Sequence, residues 1–272
     1  MRVFEIQGIR RIDRASTHHQ AGFFGIPVVD VSMGELVARL QVHLLRREST
    51  HVVPFNPHCF VIARNDAKFR EICASGDIVF ADGVGIKFAS LLSSEAIQNR
   101  YTGLDVMLEL CTLSAVKGYS VFLFGGQHGI VDDCAAQLRK QLPGLTIAGT
   151  FEPPFVEGIE EFDNETIIRT INRSQPDLLF VALGAPKQEK WIERYRDRLD
   201  VPIMMGVGGS FDILGGRFSR APHWMRSLGL EWLYRLLSEP TRLSGRYLLG
   251  IPLFVYLILR LKFGSSRNVF TR

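Results

Sequence analysis

The chain has 272 residues, 46% hydrophobic and 22% charged, the balance of an ordinary globular protein with a real core: one large α/β domain, or a domain plus an appendage. Cys59, Cys73, Cys111 and Cys134 stand apart, with no C-x-x-C pair and no histidine cluster at ligand spacing, which argues against a zinc site and a disulfide framework and for a reducing compartment. The net charge of +4 is unevenly spread: from Arg217 onward ten Lys or Arg face two acids, a net +8 that leaves −4 for residues 1–216. Such segregation points to an anionic partner for the tail: nucleic acid, phospholipid or a phosphorylated substrate.

The opening MRVFEIQGIRRIDRASTHHQ is charged throughout and lacks the apolar core of a signal peptide, so residues 1–20 are read as a flexible tail. Apolar runs then alternate with helical patterns, the signature of a mainly parallel sheet with helices on both faces. GIPVVDV reads as a strand, and Ser32-Met-Gly-Glu35 as a capping box for the helix ELVARLQVHLL. HVVPFNP is the next strand, with a helix from about His58, and DIVFAD is another, ending at Asp82-Gly83. A helix near LDVMLELCTLSAVKG leads to YSVFLFGG and then to the helix IVDDCAAQLRKQL. TIAGTF, DLLFVALG and VPIMMGVGG complete the strands, with EGIEEFDNETIIRTIN and KQEKWIERYRDRL as helices between them. The α/β unit is read as residues 21–216 and a basic appendage as 217–272.

Ligands of open parallel sheets bind at the carboxyl ends of the strands. Asn56, Asp82-Gly83, Gly125-Gly126-Gln127, Gly184 through Gln188 and Gly206 through Ser210 all fall there. FGGQHG and GVGGSF are glycine-rich turns entering helices, suited to a diphosphate or merely to tight turning. Neither is G-x-G-x-x-G and no P-loop motif occurs, so a dinucleotide cofactor and P-loop chemistry are not expected. Asp82 closes an apolar strand, where its carboxylate serves either as a general base or as a helix cap. No D-x-D is present, so no metal is expected; arginines such as Arg100 and helix dipoles would neutralise a leaving group instead.

Tyr247 through Leu259 is uncharged and apolar between Arg246 and Arg260. As a helix its length is roughly 20 Å, too short for a hydrocarbon core of about 30 Å, and Pro252 weakens it. Upstream, Trp224, Trp232 and Tyr234 mix with arginines as in interfacial amphipathic helices. The tail is therefore read as a membrane-docking element rather than an ordinary buried C-terminal helix.

The stretches FNPHCFVIAR, DIVFADGVGI, RYTGLD, LGAPKQEKWIERYRDRL and GVGGSFDILGGRFSRAPHWMRSLGLEWLYRLLSEPTR closely resemble the WecG/TagA/CpsF family of bacterial glycosyltransferases, over roughly residues 27 to 246. The resemblance implies a Rossmann-like α/β fold with a membrane-docking basic appendage. It implies an inverting, metal- and cofactor-independent transfer of a sugar from a UDP-sugar to a polyprenyl-diphosphate-linked sugar, in exopolysaccharide or envelope glycan synthesis. Asp82 would be the base, Arg100 would hold the donor diphosphate or the acceptor, Gln188 would contact the sugar, and Asn56 falls on the family's T-x-N segment. The glycine turns, read from their own residues, add Gly125, Gly126, Gln127, Gly208 and Gly209 as candidates to hold the donor diphosphate. Arg235, Arg242 and Arg246 would hold the acceptor diphosphate or close over the donor. The expected partners are donor, acceptor and an anionic membrane surface at the cytoplasmic face, not nucleic acid; homo-oligomerisation stays open. Pro54 replaces the threonine of many members and brings no hydroxyl or N–H, so the donor stays open between an N-acetylhexosamine and a hexose. The alternative reading is a catalytically silent membrane-bound scaffold.

Overall fold

In a computed structural model, the described residues are 20–263 except Ser94, without the Arg246 side chain. The first element, β1 (Gln20–Phe23), pairs antiparallel with β2 (Ile26–Val29) through a tight turn at Phe24-Gly25, both with positive φ. Sequence reading gave only the second of these strands and assigned Gln20 to the tail; residues 1–19 lie outside the described range. Next come α1 (Met33–Arg46), β3 (Thr50–Phe55), α2 (Pro57–Asn65), α3 (Ala67–Ser75), β4 (Ile78–Ala81), α4 (Val84–Ser90) and α5 (Gly103–Lys117). Then β5 (Ser120–Gly125), α6 (Ile130–Gln141), β6 (Thr146–Phe151), α7 (Asn164–Ser174), β7 (Leu178–Ala182), α8 (Lys187–Tyr195) and β8 (Ile203–Gly206) complete the sheet.

The strands run in the order β1-β2-β4-β3-β8-β7-β5-β6, parallel except for β1. Strand residues alternate between faces, and each face has its own helices. Val52, Phe80, Leu123, Phe180 and Met205 pack with α1, α5 and α6. Val53, Val79 and Ala81 pack with α2, α3 and α4, while Phe122, Phe124, Val181 and Met204 meet α7 and α8 around Trp191. The expected mixed α/β fold with a mainly parallel, doubly covered sheet is thus present.

Local signals explain most boundaries. Ser32 caps α1 by accepting from the Glu35 N–H, the first half of the expected capping box. The helix expected from His58 starts at Pro57, with Asn56 as its cap and proline at the first position. It breaks at Asp66, which caps α3 in turn, so one expected helix is two. The stretch 157–172 also divides: Ile159–Glu161 is a 3₁₀ turn, and Asp163 caps α7 afresh.

Beyond the sheet the chain stays helical: α9 (Ser210–Leu214), α10 (His223–Ser227), α11 (Glu231–Ser238), α12 (Pro240–Ser244), a π turn over Gly245–Leu249 and α13 (Gly250–Phe263). Pro252 does not break α13. It is the third residue of α13, directly after the π turn. No helix among the described residues is long and apolar enough to cross a membrane.

The C-terminal helix has two faces. Phe254, Leu257, Ile258 and Leu261 are buried and join the α2 cluster, with Phe254 edge-on to Phe60 at 5.5 Å. Val255, Tyr256, Leu259 and Phe263 are exposed. The segment read as an appendage is therefore built into the sheet's outer layer along one side. Leu257→Ala should cost about 2–5 kcal/mol in urea unfolding, whereas a helix held only by lipid would leave the soluble protein's midpoint unchanged.

Candidate active site

Every strand end named from sequence reaches one edge of the sheet, around a cavity of about 1230 Å³. Its floor is the β3–β4 pair, whose register sets Phe55 beside Ala81. The next residues along the two strands are Asn56 and Asp82. The Asn56 amide donates to Asp82 Oδ2 at 2.9 Å, while its own oxygen accepts the Cys59 N–H at 3.1 Å and caps α2. Asp82 Oδ1 accepts from the Gly103 N–H, at the start of α5, at 3.3 Å. Asp82 thus receives donors from two other segments and caps no helix of its own; α4 begins after Gly83 without a side-chain cap.

A short bridge from Asp82 to Tyr101 draws residues 99–101 alongside β4, which brings Arg100 to the cavity wall. Arg100 donates to the Arg226 carbonyl at 3.4 Å. α5 starts at a reciprocal capping box: Thr102 Oγ1 accepts from the Asp105 N–H and the Asp105 carboxylate from the Thr102 N–H. Sequence reading missed this box, although T-x-x-D stands plainly in RYTGLD.

On the opposite wall, Gly208 and Gly209 turn from β8 into α9. A Cβ on Gly209 would stand 2.6 Å from Arg235 Nη2 and 3.5 Å from Arg242 Nη2, so two arginines of the appendage lie directly over that turn. Arg242 pairs with Asp212 at 3.1 Å and also with Glu239. Arg235 lines the cavity, and its buried Nε makes no hydrogen bond among the described residues. Arg226 Nε is in the same condition.

Two residues act differently from expectation. Gly125 does not line the cavity, though Gly126 and Gln127 do. Its φ is +112°, and a Cβ would lie 2.5 Å from the Ala182 carbonyl oxygen, so glycine is required for the close approach of β5 and β7. Gln188 is buried, and its Oε1 accepts from the N–H groups of Gly184 and Gly208 at 3.1 and 3.0 Å, while its amide donates to Glu189. It ties two strand-end turns together, with one amide hydrogen left for a ligand. The Arg246 side chain lies outside the described residues.

Arg220 and Glu231 were not singled out from sequence. Arg220 Nη2 pairs with Asp105 and lies 3.5 Å from Thr102 Oγ1, and Arg220 Nε is 3.8 Å from Glu231 at the start of α11. This arginine joins the helix start that donates to Asp82 with the appendage. Burial by itself would raise the Asp105 carboxyl, but Arg220 and Thr102 outweigh it and hold it below its usual range. For Glu231, burial dominates over Arg220, and the Asp105 and Asp82 carboxylates add to it, so its pKa is raised.

These opposite shifts carry opposite linkage. The Asp105 contribution to stability is present above the ordinary carboxylate range and fades as pH falls through its lowered folded value. The Glu231 contribution is present below its ordinary value and is lost as pH rises through its raised folded value. Asp105→Asn should therefore cost roughly 1 kcal/mol near neutral pH and flatten the acid limb of a urea-midpoint profile. Glu231→Gln should be neutral or stabilising near neutral pH; a loss as large as that of Asp105→Asn would contradict this assignment.

The cavity thus brings together a carboxylate at a strand end, glycine turns and arginines of the C-terminal segment. The chain belongs to the Glycosyl transferase WecG/TagA/CpsF family, whose profile matches residues 21–268. It is 31% identical over 236 residues to the N-acetylglucosaminyldiphosphoundecaprenol N-acetyl-beta-D-mannosaminyltransferase of Bacillus subtilis (strain 168), covering 86% of this chain and 89% of that relative. The proteins of the same name in Bacillus spizizenii (strain ATCC 23059 / NRRL B-14472 / W23) and Staphylococcus aureus (strain MW2) are 30% and 28% identical, over 89% and 92% of this chain and 92% and 96% of their own lengths.

Proposed function

We propose that the protein transfers a sugar, of N-acetylhexosamine or hexose type, from a UDP-sugar to a polyprenyl-diphosphate-linked sugar, with inversion and without a metal. The observation that carries this reading is the Asp82 carboxylate, oriented by Asn56 and the Gly103 N–H across a cavity from Arg235 and Arg242. Asp82 takes the proton of the acceptor hydroxyl as that oxygen attacks the anomeric carbon. The UDP diphosphate leaves on the opposite face, towards the Gly208-Gly209 turn, where the guanidinium groups over it balance its charge. The acceptor class follows the relatives, whose names specify an N-acetylglucosamine on diphosphoundecaprenol.

Pro54 bears on the donor. It lines the cavity in β3, where the ladder to β8 has already ended at Val52 while that to β4 continues to Phe55. A residue without an N–H is tolerated there. Its ring carbons would lie 3.7 Å from a Cβ on Gly103, so this part of the wall beside Asp82 is apolar. That favours a donor needing no hydroxyl partner at this position and keeps a hexose within the reading.

UDP release should require both a lipid-diphosphate-sugar acceptor and one donor from a panel of UDP-sugars. Asp82→Asn should lower kcat by about 10²-fold or more while UDP affinity, read by calorimetry, stays within a few-fold. Unchanged turnover in this variant would remove Asp82 from the mechanism.

The substrate also asks for a membrane surface, at the cytoplasmic face in this reading. Trp224, Leu237, Leu248 and Phe263 are exposed on the basic helical segment, the mixture that interfacial helices use. Because the buried face of α13 belongs to the core, removing residues 247–272 would disturb folding as well as docking. Trp224→Gln combined with Leu237→Gln and Leu248→Gln should instead reduce sedimentation with anionic vesicles while leaving the melting temperature within a few degrees. Undiminished sedimentation would move the docking face elsewhere.

A further inference from the structure

The cavity continues past the charged end. Every residue that α4 and α13 contribute to its wall is apolar or glycine, whereas the catalytic end carries Asp82, Arg100, Arg226, Glu231, Arg235 and Arg242. The floor of this arm is α2, through Pro57, Cys59 and Val61, with His58 as its one charged or polar contribution. α4 lies hard against α2: a Cβ on Gly85 would stand 2.4 Å from Pro57 Cγ. α13 packs along the same helix through Phe254 and Phe60. The result is a trough with two helical sides. Phe88, Val255 and Leu259 on those sides, and Leu249 in the π turn before α13, remain 64%, 48%, 42% and 75% exposed although they line it.

Leaving such side chains wet costs free energy in proportion to their apolar area. The volume also exceeds the range of about 300–1,000 Å³ usual for a small-molecule site. The arm joins the polar end where Gly229 abuts Val84, at the first residue of α4, near the Arg100–Arg226 contact.

We propose that this α4–α13 trough holds the first isoprene units of the acceptor's polyprenyl chain. The acceptor diphosphate then sits at Arg100 and Arg226, and the terminal sugar hydroxyl points to Asp82. The assignment rests on the proposed transferase reading and adds the place of the lipid. One occupant satisfies both halves of the cavity: an anionic head of sugar and diphosphate bonded to a branched hydrocarbon chain. A bilayer acyl chain or a second copy of the protein would cover the apolar walls but would account for no continuity with the charged end.

Two measurements test it. The first compares acceptors carrying one, two and four isoprene units, kept below their micelle-forming concentrations, in UDP-release kinetics. The wild-type KM should fall by about tenfold or more with lengthening, the effect of burying roughly two methylene groups. Val255→Asp and Phe88→Asp should flatten that dependence. Leu91→Asp, on an exposed residue just past α4 that does not line the cavity, should preserve it. No length dependence in the wild type, or equal flattening by Leu91→Asp, overturns the trough.

The second uses a benzophenone-bearing geranylgeranyl diphosphate. Its cross-links should map to residues 84–92 and 249–259 and be displaced by unlabelled geranylgeranyl diphosphate. Labelling confined to Trp224, Leu237 or Leu248 would assign the hydrocarbon to the outer surface and also overturn the proposal. If no acceptor of any length releases UDP but the probe labels both helices, the transferase reading fails while the prenyl site stands.

Discussion

The site depends on the pairing of β3 with β4. That register sets Phe55 against Ala81, so the chain leaves both strands at the same level and Asn56 meets Asp82. Each side chain then does two things. Asn56 caps α2 with its oxygen and orients Asp82 with its amide. Asp82 receives that amide and also the first N–H of α5. A one-residue slip of either strand would turn that strand's side chain to the other face of the sheet and part Asn56 from Asp82. Fold stability and site geometry are therefore one constraint here, enforced by the same hydrogen bonds.

Around that fixed carboxylate, charge is distributed by burial and pairing rather than by number alone. The appendage brings Arg220, Arg226, Arg235 and Arg242 to the sheet edge. A cluster of guanidinium groups would repel itself, and acids intervene: Asp105 holds Arg220, and Asp212 with Glu239 holds Arg242. Arg226 and Arg235 keep buried Nε groups with no hydrogen-bond acceptor. Buried donors left without an acceptor cost free energy. Glu231 stands among these groups, and burial raises its pKa.

The C-terminal helix shows how one sequence pattern can serve two surroundings. Its Leu257 side is sealed against α2, and its Val255 and Tyr256 side stays open. Because the sealed side belongs to the core, the open side is held at a fixed height beside the cavity mouth. The glycines at 85 and 229 have a matching role: each lets a helix or loop come within contact of its neighbour where a Cβ would collide, and together they close the walls around the cavity.

Much of this was legible in the residues themselves. Alternating apolar runs gave the parallel sheet, and the glycine and carboxylate at strand ends gave the edge where Asp82, Asn56, Gly126, Gln127, Gly208 and Gly209 assemble. The skewed charge marked the segment that supplies Arg235 and Arg242. These features are local: periodicity follows from backbone geometry, and turn residues from allowed φ and ψ. Other assignments needed the tertiary structure. Gly125 serves packing rather than the cavity, and Gln188 spends its oxygen on two backbone turns. Arg220 reaches back 115 residues to Asp105, a pairing no spacing encodes. An apolar helical stripe reads the same whether protein or lipid will cover it, since the hydrophobic effect is non-directional. The sequence by itself determined most of the strands and helices and which polar and glycine residues stand at the carboxyl ends of the strands. Only the packing of distant segments decided which face of α13 is core, which arginines are neutralised, and which donors orient the carboxylate, because those contacts are fixed by three-dimensional register rather than by neighbours in the chain.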